Sequence, residues 1–160
     1  MQELVAECAA KYGNNNVHYV VADATSEADC KTLVEFTMEK FGKIDIAILA
    51  AGVSAHSLFK DIKDMNIVRK IMETNFMGAV MLTKYLLPIL RHTKGQFVVI
   101  SSASAVLPLP LRSAYCASKS AVNSFFDSIA VEEPDVSVTL VCPDSYSGSN
   151  FRNNNLIKSD

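Results

Sequence analysis

The sequence predicts an α/β fold of the doubly wound class, in which helices cover both faces of a parallel sheet. Two observations support this prediction. Apolar runs of strand length, rich in Val and Ile, alternate along the chain with segments that have the apolar period of a helix. The strand runs are almost continuously apolar, which is typical of strands buried on both faces. The length of 160 residues corresponds to one domain of ordinary size.

The first part of the chain contains two predicted helices separated by a strand. Residues 1–12 have a helical period, and the apolar run at residues 17–23 predicts the first strand. Thr25 and Ser26 can cap the next helix, which ends just before Gly42, a residue type that often follows the last helical turn.

The rest of the chain continues the alternation. Pro88 interrupts the long helical region near its end, and a loop rich in Pro and Leu covers residues 105–111. The polar stretch 146–160 has no period and is predicted to be a loop. The remaining elements are predicted as strand, helix, strand, helix and strand at residues 44–52, 61–92, 95–102, 113–133 and 136–143.

Composition argues against several classes of function. The net charge is −2, without a basic block, so a surface that tracks nucleic-acid phosphates is not expected. No apolar run reaches the length of a membrane span. The four cysteines lie far apart and form no CxxC pair, so no metal site is expected. His18, His56 and His92 are scattered and are interpreted as non-catalytic.

The strongest chemical signal follows the third predicted strand. Ser102 comes at its end, and Tyr115 and Lys119 follow at an i, i+4 spacing that places them on one helix face. A lysine ammonium beside a phenol favours the phenolate. Lowering a tyrosine pKa from about 10 to about 7 requires roughly 4 kcal/mol of differential stabilisation. A phenol tuned in this way can exchange a proton with an alkoxide, and Ser102 can orient the same oxygen.

These residues resemble the short-chain dehydrogenase/reductase family, whose fold is Rossmann-like. Asn75, in METNFMG, is similar to the family's helix asparagine, and Asp23, in VADAT, is similar to its adenine-binding aspartate. Three segments have sequences that resemble the 11β-hydroxysteroid dehydrogenase-like branch: VRKIMETNF, FVVISSASAV and SAYCASKSAVNSFF. The resemblance covers about residues 1–145, interpreted as a partial domain of this family, with residues 146–160 as a loop or the start of a substrate-covering segment.

The resemblance implies an enzyme that transfers hydride between NADP or NAD and a hydroxyl or carbonyl substrate, with steroids, retinoids and other lipids as candidates. Tyr115 would be the acid/base, Lys119 would hold the nicotinamide ribose, Ser102 would orient the carbonyl, and Asn75 would support a proton-relay water. A homo-dimer or tetramer is implied, and the location would be cytoplasmic or associated with the endoplasmic reticulum. The residues that would bind the cofactor are Asp23, Ala24, Ala51, Gly52, Asn75, Tyr115, Lys119 and Pro143.

The chain also departs from the family pattern. It contains no glycine-rich turn of the kind that binds a pyrophosphate, and its first predicted strand corresponds to the family's third. We therefore expect a chain that lacks the family's first two strands and its C-terminal part. Ala50 and Asp144 stand where the family has Asn and Gly. These departures leave open a second hypothesis, a catalytically inactive fragment that acts as an interaction or dimerisation module or has no function. A sugar-nucleotide epimerase is a third, less favoured hypothesis.

Overall fold

The computed structural model describes residues 2–13, 16–144 and 155–157. Helices and strands alternate through this part of the chain. A turn of π-helix, Glu73–Met77, joins the third and fourth helices, and short 3₁₀ turns cover Phe59–Asp61 and Ala103–Ala105. The elements are α1 (Gln2–Tyr12), α2 (Glu27–Phe41), β1 (Ile46–Leu49), α3 (Asn66–Met72), α4 (Gly78–Thr93), β2 (Gln96–Ile100), α5 (Ser113–Glu132) and β3 (Ser137–Val141).

The three strands form one parallel sheet in the order β1, β2, β3. Phe97 of β2 lies beside Ala47 of β1 and Val138 of β3. Helices α3 and α4 connect the first pair of strands, and α5 connects the second pair, as parallel pairing requires. The predicted α/β class and its parallel sheet are therefore confirmed, and the carboxyl ends of all three strands meet at one edge.

The core lies between one face of the sheet and helices α4 and α5. Phe97 and Phe126 are fully buried there, with ring centroids 5.6 Å apart. The other face of β1 is open in the described chain, since Ile46 is 58% and Ile48 is 65% exposed. Helix α2 packs against α4, on the face of the sheet that α4 and α5 already cover. In the described chain, helices therefore cover one face of the sheet, where two covered faces were expected. The buried core residues are Val34, Ile44, Ala47, Leu86, Leu90, Phe97, Val99, Val122, Phe126 and Val136.

The strand predicted at residues 17–23 is wrong: these residues belong to no strand or ladder. Val21, within the run, is 87% exposed. A strand is stable only when its backbone N–H and C=O groups pair with a neighbour, and no described strand lies beside this segment. Apolar composition alone therefore does not make it a strand.

Most predicted boundaries lie within a few residues of the observed ones. Ser26 caps α2 by accepting a hydrogen bond from the Asp29 N–H at 3.2 Å, and Gly42 ends the helix with φ of 72°. The long helical region begins at Asn66 rather than at residue 61, and Pro88 lies within α4 without ending it.

Two further predictions concern membranes and the polar tail. Among the helices of the described residues, none is long and apolar enough to cross a membrane. The predicted loop at residues 146–160 lies outside the described residues except for 155–157. There, the Leu156 N–H donates to the Ser54 carbonyl at 2.7 Å.

The C-terminal caps of α2 and α4 provide a matched test of backbone strain. Gly42 (φ 72°) and Lys94 (φ 50°) both adopt the left-handed conformation, and no atom would obstruct a Cβ at Gly42. We expect Gly42→Ala to lower the free energy of unfolding by about 1 kcal/mol and Lys94→Gly to raise it by a similar amount. Urea unfolding curves would measure both. Equal stability of Gly42→Ala and the unaltered chain would contradict this account of the caps.

Candidate active site

Polar side chains from β2 and α5 converge at the carboxyl edge of the sheet. Ser101 and Ser102 follow β2 directly, and Tyr115 and Lys119 lie one turn apart on α5. Tyr115 and Lys119 are each only 5% exposed, and Ser102 is buried as well. The structure therefore brings together three of the side chains that the sequence predicts for catalysis.

A side-chain hydrogen bond joins Ser102 and Tyr115. The Ser102 Oγ also accepts a hydrogen bond from the Ser104 N–H at 3.1 Å, which fixes the serine at the start of a 3₁₀ turn. Burial raises the pKa of Tyr115 above its ordinary value, while the Ser102 hydrogen bond and the charge of Arg112 act in the opposite direction. The lowering by Lys119 that the sequence suggests stays a prediction.

Lys119 is a buried amine. Its Nζ donates to the carbonyl of Ile100 at 2.8 Å and lies 5.9 Å from the centroid of the Tyr115 ring. Burial lowers the pKa of Lys119 to about 8, and the negative charge of Cys142 in its thiolate form acts in the opposite direction. With this pKa, the amine of Lys119 loses its proton in mildly alkaline solution.

Asn75 lies in the π turn and joins three parts of the chain. Its Oδ1 accepts from the Val53 N–H at 2.8 Å, and its Nδ2 donates to the Val53 carbonyl at 3.0 Å. The same Nδ2 donates to the Ser118 Oγ at 3.0 Å, and that hydroxyl donates to the Tyr115 carbonyl at 2.8 Å. The loop after β1 is thereby tied to the helix that carries Tyr115. The predicted relay water at Asn75 stays a prediction.

Several predicted cofactor residues line a common cavity of about 310 Å³ beside the sheet edge: Asp23, Ala24, Ala51, Asn75 and Lys119. Gly78 allows α4 to lie close to the backbone of Ala24 at the cavity wall, because a Cβ at position 78 would be 2.9 Å from the Ala24 carbonyl oxygen. Gly52, Tyr115 and Pro143 are not among the lining residues. The cavity therefore gathers most, but not all, of the predicted set.

Asp23 is fixed by its own loop. Its Oδ1 accepts hydrogen bonds from the backbone N–H and the hydroxyl of Thr25, both at 2.8 Å, and these bonds lower the pKa of the carboxyl. Pro143, after β3, lies against the loop after β2, since its carbonyl accepts from the Ala103 N–H at 3.0 Å.

Three residues near Tyr115 were not among the predicted site residues. Ser118 is fully buried and links Asn75 to Tyr115; a hydroxyl on the same helix face as Tyr115 was the available signal. Arg112 and His56 form a hydrogen bond beside the ring, which no spacing in the sequence indicates because 56 residues separate them. Among the described residues, no group of three or more His, Cys, Asp or Glu side chains could hold a metal ion.

The chain resembles known dehydrogenases in sequence and in fold. It is 40% identical over 142 residues to "11-beta-hydroxysteroid dehydrogenase-like 3" of Arabidopsis thaliana, an alignment that covers 88% of this chain and 46% of that protein. The chain thus spans about half the length of the curated relatives it matches.

Two solved structures illustrate the shared fold. A short chain dehydrogenase/reductase from Saccharomyces cerevisiae is 33% identical with a TM-score of 0.81, over 89% of this chain and 56% of that one. An alcohol dehydrogenase from Thermococcus sibiricus, complexed with 5-hydroxy-NADP, has a TM-score of 0.89 at 20% identity, over 99% of this chain and 66% of that one.

A model of the family described as short chain dehydrogenase matches residues 1–156. This match confirms the resemblance inferred from Ser102, Tyr115, Lys119 and Asn75, and the names of the relatives agree with the inferred branch. Since the model covers nearly the whole sequence, the chain belongs to the short-chain dehydrogenase family.

Proposed function

We propose that this chain carries the acid/base part of an oxidoreductase that transfers hydride between NAD(P) and a hydroxyl or carbonyl substrate. The observation that carries the proposal is the buried Tyr115 hydroxyl, which is hydrogen-bonded to Ser102 and has two cations beside its ring. Tyr115 would give its proton to the oxygen of a carbonyl that is being reduced, or take one from an alcohol that is being oxidised.

The cavity beside the sheet edge is chemically suited to the nucleoside parts of NADP or NAD. Asp23 offers carboxylate oxygens for an amine, Ala24 offers backbone groups, and Lys119 offers ammonium protons for ribose hydroxyls. When bound, the nicotinamide would supply or accept the hydride. That one structural neighbour was solved with 5-hydroxy-NADP supports this choice. Ala51, Gly52 and Pro143 complete the set that we propose for the cofactor.

The loop after β2 favours an apolar substrate. Val106 is 70% and Leu107 is 59% exposed, and both follow Ser102 closely in the chain. Exposed apolar side chains in the loop that follows Ser102 suit a substrate whose carbonyl or hydroxyl is carried on a hydrocarbon framework. A steroid or another lipid would fit this description, and the names of the relatives point in the same direction.

A second candidate function is an inactive module that binds other copies of the chain or other proteins. The sequence favours it through Asp144, whose side chain adds a charge directly after Pro143. Titration of NADPH or NADH fluorescence with the 160-residue chain separates the two candidates. Micromolar binding would support the enzyme and contradict the inactive module.

Tyr115→Phe removes the proposed proton donor while keeping the ring. We expect this variant to lower the rate of substrate turnover by at least about a hundredfold, because general acid/base catalysis contributes at least that much. Tyr85→Phe is the matched control, since the Tyr85 hydroxyl donates to Glu27 on the surface. Retention of most of the activity in Tyr115→Phe would refute the proposed mechanism.

Lys119 should make stability depend on pH in a specific direction. Its folded pKa of about 8 lies below the ordinary lysine value of 10.5, so the unfolded chain binds the proton more tightly. The cost of burying the charged amine is fully present below pH 8 and decreases as the pH rises toward 10.5.

Lys119→Met should therefore be more stable than the unaltered chain at pH 7, by up to about 3 kcal/mol. The difference should shrink at pH 10. Urea unfolding of both chains at the two pH values would measure it. Lys84→Met is the control, since Lys84 is exposed and pairs with Glu27 at 2.6 Å. A Lys119→Met difference that is the same at both pH values would contradict the shifted pKa.

We also propose that the protein forms a homo-dimer or tetramer through α4 and α5. Val131, near the end of α5, is 83% exposed, and Met77, just before α4, is 37% exposed, so apolar groups remain available on these helices. Light scattering should report a mass of at least two chains, and Val131→Glu should reduce it. A monomer at all concentrations would contradict the proposal.

A further inference from the structure

Arg112 is a charged residue beside the Tyr115 ring, and the resemblance to the family assigned it no role. It directly precedes α5, and its guanidinium carbon lies 5.8 Å from the centroid of the Tyr115 ring. Its Nε donates to the Nε2 of His56 at 2.6 Å. That nitrogen can accept only while it carries no proton, so the contact exists with a neutral His56.

The backbone around Arg112 is fixed to the loop after β1. The carbonyl of Leu111 accepts a hydrogen bond from the Ser57 N–H at 3.0 Å. Leu111 has φ of 64°, a left-handed conformation that is costly for a residue with a Cβ and persists only where contacts enforce it. Adjacent residues of one loop, His56 and Ser57, therefore hold adjacent residues of the other, Arg112 and Leu111.

The charge of Arg112 differs from that of Lys119 in one respect. The two cations lie at nearly the same distance from the Tyr115 ring, 5.8 and 5.9 Å. Lys119 has a pKa of about 8 and loses its charge in mildly alkaline solution, whereas a guanidinium stays charged. Of the other groups at the ring, the Cys116 thiolate would oppose a phenolate, and Ser102 is uncharged. Of the two cations described beside the Tyr115 ring, Arg112 is thus the one that keeps its charge.

We propose that Arg112 is a positioning residue for proton transfer, and that its guanidinium, held by His56, stabilises the phenolate left when the Tyr115 O–H bond breaks. The proton passes to the substrate oxygen, where a new O–H bond forms. This inference rests on the proposed role of Tyr115 as acid/base. It assigns to His56 the task of keeping Arg112 at the ring.

The ionisation of Tyr115 can be followed without cofactor or substrate. The full chain would be labelled with ¹³C at tyrosine Cζ, and its NMR signals would be recorded against pH. The sequence has five tyrosines, and Tyr115→Phe identifies the Tyr115 signal by its loss. Because this measurement needs no turnover, its result is independent of whether the chain transfers hydride. Failure of the proposed function would appear separately, as unchanged turnover in Tyr115→Phe.

We expect Arg112→Gln to raise the pH at which Tyr115 ionises by about one unit, since it removes a nearby opposite charge. Arg112→Lys should retain most of the unaltered value. His56→Ala should raise it in the same direction and add nothing in the Arg112→Gln background, because His56 acts through Arg112. Arg69→Gln is the control and should leave it unchanged, since that guanidinium bonds to Asn66 on α3.

The proposal is overturned if Arg112→Gln leaves the ionisation of Tyr115 unchanged, or if Arg69→Gln shifts it equally. It is also overturned if Tyr115 stays protonated in the unaltered chain until alkaline unfolding, because Arg112 then stabilises no phenolate. Circular dichroism reports folding. Should Arg112→Gln fail to fold, His56→Ala decides: an upward shift supports the proposal, and an unchanged value contradicts it.

Discussion

The side chain of Asn75 is the interaction on which the arrangement of the site depends. Its amide satisfies both backbone groups of Val53 and the hydroxyl of Ser118, so one buried residue joins the loop after β1 to helix α5. Asn75 is 2% exposed, and buried polar groups left without partners cost about 1–3 kcal/mol each. The positions of Tyr115 and Lys119 relative to the sheet edge therefore rely on a hydrogen-bond network that is complete only when Asn75 is present.

The site combines burial with charge, and the two effects oppose each other. Burial disfavours the charged form of both groups, the phenolate of Tyr115 and the ammonium of Lys119. Groups with fixed charge or fixed hydrogen bonds, such as Arg112 and Ser102, counteract this at Tyr115. A proton can be exchanged near neutral pH only when these opposing contributions nearly cancel, and several side chains share in the adjustment.

The sequence predicts the alternation of strands and helices and the shared helix face of Tyr115 and Lys119, because local periodicity and an i, i+4 spacing are short-range properties. Ser102 is found because it stands at the end of the strand before that helix. It does not predict that residues 17–23 form no strand, since a strand needs a neighbouring strand to pair with and local composition carries no information about that neighbour. It also misses the contact between His56 and Arg112, which joins two loops distant in the chain. The twofold role of Asn75 at Val53 and Ser118 likewise requires knowledge of which loops meet.

The π turn at Glu73–Met77 has a consequence for how the long helix could have arisen. A π turn accommodates one residue more than an α turn, and so corresponds to a single insertion within a regular helix. Deleting one residue there would restore an uninterrupted and intrinsically more favourable helix. Because the π turn already absorbs the extra residue, such a deletion would leave the helical faces on either side of it nearly in register. The turn that would close up is the one that carries Asn75, whose amide would lose its present position between Val53 and Ser118. The helix thus retains an irregularity whose removal would make it more regular and would break the link between the loop after β1 and helix α5.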